Sequence, residues 1–255
     1  MSAIVSVMER LGWASKHINA AHTLSNSRIQ DNFYKFAAKQ EGKGRVVVRV
    51  ARVDPYPREF SLMIGDAAHN IRAALDNLAF AIVKPSPGRE KSVYFPICKT
   101  REKFRQSAPG MLPGISVRIR AAFERLQPYH RSTMPEAKNL ARLNVLNNWD
   151  KHRELAICSV VTGGISIWPK VSGPHELKGV RIQHGILKEG AILAVLKMSS
   201  ASGESQLQLN PQIVLAPVFD LGMPKEIRFI PVLEVLRRSL WFVERTVVPS
   251  LRKFL

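Results

Sequence analysis

Along residues 62–83, LMIGDAAHNIRAALDNLAFAIV, four side chains able to do chemistry recur at intervals of three, three and four: Asp66, His69, Arg72 and Asp76. At about 100° per residue they fall on one stripe of a helix, each beside the next. A second cluster, Asn147 to Arg153 (NNWDKHR), crowds Asp150, His152 and Arg153 together. An imidazole can exchange a proton near neutral pH, a guanidinium can stabilise phosphoryl charge, and carboxylates can act as bases. The candidate catalytic set is therefore Arg72, His69, Asp76, Asp150 and His152.

Two other readings fit the same residues. Asp66 and His69 stand one helical turn apart, as carboxylate and imidazole do in helical di-metal proteins, and Asp150 and His152 would complete a metal set. The helix supplies no bridging glutamate, however, and Arg72, Lys151 and Arg153 would repel a cation. Alternatively the two clusters form a polar lock, with paired ions fixing how two helices cross. In either case the clusters should meet. The expectation is that His69, Arg72 or Asp76 lies within about 3 Å of a residue in 147–153, with Arg72 on Asp150 and the aspartates on Lys151 or Arg153.

Positioning these residues requires helices. Ile64, Ile71, Leu75, Leu78 and Ile82 lie opposite the polar stripe, interleaved with alanines that favour helix and close packing. Residues 3–40 keep the three-to-four apolar rhythm through Leu24, and Phe33, Phe36 and Ala37 continue it. Ile115 to Leu126 forms a short helix with Arg118, Arg120 and Arg125 outward. Pro135 opens a helix reaching 155. A last helix covers 226–254, kinked or shortened at Pro249.

Between Gly42-Lys43-Gly44 and Pro55, RVVVRVARV alternates as a strand, with Val46, Val48 and Val50 on one face and Arg45 and Arg49 on the other. From 156 the chain turns β-rich, with segments near 156–168, 180–186, 191–198 and 206–215 expected as an antiparallel meander. His175 and His184 stand isolated in it.

The fold class is thus α+β: an up-and-down bundle of about four main helices (3–40, 58–84, 135–155 and 226–254) with an antiparallel β-sheet in the C-terminal half. The organisation is one domain over 1–255, with a helical core (1–155 and 226–255) and a β-rich insertion at 156–225 that 45–53 can join.

Lys and Arg number 38 against 20 Asp and Glu, a formal charge of +18. Such a field attracts polyanions, and RNA or DNA is the partner class it favours. Arg45, Arg49, Arg118, Arg120 and Arg153 are the candidate contacts. No apolar run is long enough to span a membrane. With two cysteines and no leader-like start, the expected compartment is the cytoplasm. No Gly-rich phosphate loop or Cys/His zinc spacing occurs, so no cofactor is expected. A protein partner is not specified, and a homodimer is left open.

The run GD-AA-HN-I-R-AALD-N-LA, then FPI, LQPY and N-x-DKHR-x-L, resembles a widespread uncharacterised bacterial protein family. Its typical motif is G-[DE]-x-[LV]-H-[NH]-[LV]-R-[SA]-A-L-D-H-L. The resemblance covers most of the chain and implies the same architecture. The family's Arg, four residues, His spacing is in turn similar to that of HEPN-type helical ribonucleases, which cleave RNA without metal. The matching positions here are Arg72 and Asn77, and asparagine cannot act as a general base. The functional expectation is a basic RNA-binding helical protein related to such ribonucleases with a degenerate motif. The alternatives are a metal-binding helical-bundle hydrolase and a non-catalytic interaction protein held by a polar lock.

Overall fold

In the computed structural model, the residues described are 3–30, 33–88, 90–130, 132–172, 176–183, 185–199 and 206–255. His175 and His184 lie outside them. The fold is α+β, and contacts gather into two compact units: Met1–Thr23, Arg58–Ala156 and Leu221–Leu255 form one, and Leu24–Pro57 with Ile157–Asp220 the other. Residues 24–57 thus belong with the β-rich segment.

In the helical unit, α1 (Ala3–Gln30) buries Val7, Leu11, Ala14, Ile18 and Ala21, the stripe its periodicity requires. It runs antiparallel to α2 (Arg58–Val83), since Arg10 Nη1 donates to Asn70 Oδ1 at 3.2 Å and Asn77 Nδ2 donates to Ser6 Oγ at 3.4 Å. Opposite the polar stripe, Ile64, Ile71, Leu75, Leu78 and Ile82 are buried. With Ala67, Ala68, Ala74 and Ala79 also buried, α2 packs closely against α5 (Lys138–Asp150) and α6 (Val232–Phe242).

The helix read as 3–40 ends at Gln30, and Tyr34–Gln40 is instead strand β1. Phe33, Phe36 and Ala37 fit a helical rhythm by spacing, but pairing with β2 (Arg45–Val53) decides their conformation. The basic stretch after Lys99 forms a helix the sequence reading leaves out, α3 (Arg101–Met111), capped by Thr100, whose side chain accepts from Lys103 N–H at 3.3 Å. Helix α4 spans Val117–Arg125 under a similar cap from Ser116. A 3₁₀ turn, Pro135–Ala137, leads into α5, which stops at Asp150, short of the expected 155. Near the C-terminus, Pro249 neither ends nor breaks the helical path. A π-helical turn, Val243–Val247, widens it just before Pro249, and α7 (Val248–Leu251) continues. Proline offers no N–H to the preceding turn, and a wider turn accommodates that loss.

The remaining strands are β3 (Ile157–Ser172), β4 (Leu177–Ile182), β5 (Ile186–Leu187), β6 (Ile192–Met198) and β7 (Gln206–Phe219). They do not form a meander. One sheet has the order β1-β2-β6-β4, the other β5-β3-β7, and all pairs are antiparallel. β3 runs beside β7, and the chain between them supplies β4 and β6 to the other sheet while β5 returns to pair with β3. Val48 and Val50 join Leu187, Leu193, Ala194, Leu196, Leu215 and Phe33 in the core of this unit, with Val46 packed against it. Gly44, at φ +66°, closes the β1–β2 hairpin, and a Cβ there would stand 2.6 Å from the Met198 carbonyl oxygen. Only glycine fits where β6 crosses that turn.

Candidate functional sites: a helical polar junction and a basic sheet face

The polar stripe of α2 divides into two halves. In the C-terminal half, Arg72 and Asp76 form a two-pronged pair, with Nη2 to Oδ1 at 2.8 Å and Nε to Oδ2 at 3.0 Å. The same guanidinium donates to the Phe95 carbonyl at 2.9 Å and to Asn144 Oδ1 at 3.4 Å, while Asp76 accepts the Phe95 N–H at 2.9 Å. The side chains keep only 13% and 26% exposure. The two residues thus tie α2 to α5 and to the 93–98 segment, closing both backbone groups of Phe95. Every nitrogen of Arg72 is engaged, and only the second N–H of Nη1 is left over for a substrate phosphate. Asn77, which stands where the ribonuclease pattern has histidine, is taken up by Ser6.

Arg72 therefore does not pair with Asp150. Among the described residues none of His69, Arg72 and Asp76 hydrogen-bonds to 147–153, because the partner position on α5 is Asn144, a turn and a half earlier. The clusters do approach one another at Gly65 and Asp150. A Cβ on Gly65 would meet the Asp150 carboxylate at 2.5–2.7 Å, so the carboxylate rests on bare α2 backbone. Burial raises the Asp150 pKa, the Asp66 carboxylate raises it further, and His69 partly offsets both. Asp66 and His69 themselves are exposed.

Beyond Asp150 the chain leaves the helix. Lys151, His152 and Arg153 are exposed, and Arg153 stacks on the half-buried Trp149 ring at 4.5 Å. Trp149 is thus not a core residue, and neither Lys151 nor Arg153 pairs with an aspartate of α2. Among the described residues, no three His, Cys, Asp or Glu side chains are grouped to hold a metal, so Asp66, His69, Asp150 and His152 do not form the expected set.

A second lock, unread in the sequence, sits nearby. Gln127 is fully buried; its amide donates to the carbonyls of Pro96 (2.9 Å) and Phe123 (3.0 Å), and its oxygen accepts the Cys98 N–H at 2.9 Å. Next to it, the Tyr129 hydroxyl has its pKa raised by burial and by Glu124, to which it donates at 3.2 Å.

The β unit presents a different arrangement. In the four-stranded sheet Arg45 stands opposite Lys197, and Lys197 opposite Gly179. Two residues along, Val47 faces Val195 and Val195 faces Arg181. Strand alternation places Arg45, Lys197 and Arg181 on the face away from the valine core, with Lys39 and Arg49 beyond them. Lys43, Arg45, Lys178, Arg181 and Lys197 line a cleft of about 840 Å³ whose wall holds no acidic residue among the described ones. Lys178 pairs with Glu176 at 2.7 Å, whereas the other four make no ion pair among the described residues. Arg49 is tied to Glu41 at 3.0 Å.

Of the five arginines expected at a nucleic acid, Arg45 lines the cleft and Arg49 shares its face. Arg118, Arg120 and Arg153 belong to the helical unit. Arg118 is exposed, but Arg120 is half-buried rather than outward, and its Nε has no hydrogen-bond partner. Lys43, Lys178, Arg181 and Lys197 went unread because they become neighbours only through strand pairing. The alternation in LKGVRI and ILAVLKM is the signal that could have found two of them, Arg181 and Lys197. Among the described residues, no helix is long and apolar enough to cross a membrane. No family model, curated protein or solved structure matches the chain.

Proposed function

We propose that the protein binds the phosphate backbone of a nucleic acid, RNA or DNA, on the outer face of its four-stranded sheet. The observation carrying this is the cleft with five cationic side chains and, among the described residues, no acidic one in its wall. Cations held on adjacent strands are pre-spaced, so a polyanion can replace their counterions at little ordering cost. Among the described residues the cleft wall contains no aromatic ring on which bases could stack, so recognition is of charge rather than of sequence. The excess positive charge of the whole chain adds long-range attraction.

Fluorescence anisotropy with labelled RNA and DNA oligomers tests this. Neutralising four or five phosphates predicts a log–log salt slope of about −3 to −4.5. Arg45→Glu with Lys197→Glu should weaken binding at least about tenfold and flatten that slope, with the melting temperature nearly unchanged. Absence of binding at low salt, salt-independent binding, or full affinity in the double variant would remove the proposal.

A further inference from the structure

The outward side of α1 carries an unusual arrangement. Its core stripe fills one face. Directly opposite, at helical spacing, stand Val5, Glu9, Gly12 and Lys16, all exposed, flanked by Met8 and Trp13. Three of these are large apolar side chains in solvent: Val5 is 43% exposed, Met8 46% and Trp13 54%. Gly12 is mid-helix, where glycine costs about 1 kcal/mol against alanine. Among the described residues nothing lies within 4 Å of where its Cβ would be, so no contact among them accounts for the glycine.

The face is complementary to itself. Glu9 and Lys16 are equally far from the Gly12–Trp13 peptide, in opposite directions along the helix, and so are Val5 and Ala20. A two-fold axis through that peptide would set α1 of a second copy antiparallel to the first. Glu9 of each copy then meets Lys16 of the other, Val5 meets Ala20, and Gly12 leaves room for Trp13. Among the described residues Glu9 makes no ion pair, and the Lys16 ammonium rests on the Trp13 ring at 4.3 Å, beside the position Glu9 of the second copy would take. Residue i contacting j while j contacts i is the requirement of an isologous dimer.

We propose that this face of α1 is a homodimer interface, with a second copy of the chain packed antiparallel through Glu9, Gly12, Trp13 and Lys16. The inference is independent of nucleic-acid binding. Trp13, next to the two-fold axis, supplies most of the anchoring, while the two symmetry-related ion pairs fix register.

Sedimentation equilibrium of the full chain, from about 1 to 100 µM, tests it through charge exchange. The wild type should dimerise. Glu9→Lys alone and Lys16→Glu alone should each weaken the dimer at least about tenfold by placing like charges opposite each other, and the two together should restore it. Trp13→Ala should weaken it as much, and because these residues are exposed, far-UV circular dichroism should show the helix content of every variant unchanged. A wild type that stays monomeric throughout, single exchanges without effect, or a double exchange that fails to restore association would each overturn the interface.

Discussion

The α2–α5 junction and the basic sheet face hold charges in opposite ways. At the junction, Arg72 is surrounded by acceptors from its own chain: a carboxylate, a backbone carbonyl and an amide. On the sheet, Arg45, Arg181 and Lys197 stand in rows without a counter-charge among the described residues. A half-buried cation must be satisfied from within, because losing its hydration costs several kcal/mol. A cation at the surface keeps its water and remains available to a partner. The Arg72–Asp76 half of the stripe that looks catalytic in the sequence is thus the part the fold uses up, whereas the strand that looks merely basic is the one left open.

The largest expected effect comes from breaking the internal pair. Asp76→Ala strands the Arg72 guanidinium and the Phe95 N–H, and with both side chains partly exposed the loss should be about 2–3 kcal/mol. Urea denaturation measures it, and oligonucleotide affinity of the folded variant should not change. A stable Asp76→Ala protein with altered binding would reverse the roles of the two regions. Next comes Gln127→Ala, which leaves the buried Cys98 N–H without an acceptor and should cost about 1–3 kcal/mol. Loss of the amide there should also be visible as faster hydrogen exchange at Cys98.

The smallest effect sharpens the comparison through pH. Since the Asp150 carboxyl titrates above its ordinary value in the fold, its ionisation costs more in the folded than in the unfolded chain. That cost is absent below the unfolded value of about 4 and appears as pH rises through the folded value. Asp150→Asn should therefore stabilise the protein by a fraction of about 1 kcal/mol at pH 7, with the gain vanishing toward pH 4. A gain independent of pH would mean that the carboxylate charge is not what burial penalises.

Much of this was legible where the pattern is local. The burial of α2, the proline start before α5 and the two faces of β2 follow from spacing alone. Cross-chain partners were less legible. Phe95 and Asn144 satisfy Arg72 because the 93–98 segment and the middle of α5 reach it, and neither position carries a periodic signal. Residues 33–40 misread for a related reason: a spacing of three and one fits a helix until β2 offers a ladder. The Lys151–Arg153 run belongs to α2 by charge, but α5 ends at Asp150 and releases it to solvent.

β2 lies between β1 and β6, yet β1 is its neighbour in sequence and β6 follows about 150 residues later. During synthesis at roughly 5–20 residues per second, the β1–β2 hairpin waits on the order of 10–30 s for its other flank. Throughout that interval one side of β2 offers unpaired backbone groups, with Val46, Val48 and Val50 uncovered beside them. Such an edge invites strand pairing with other chains. Arg49 and Arg52 on the same strand are paired with Glu41 and Asp54, so it is the charge of Arg45 that repels another nascent chain and opposes that pairing until β6 arrives.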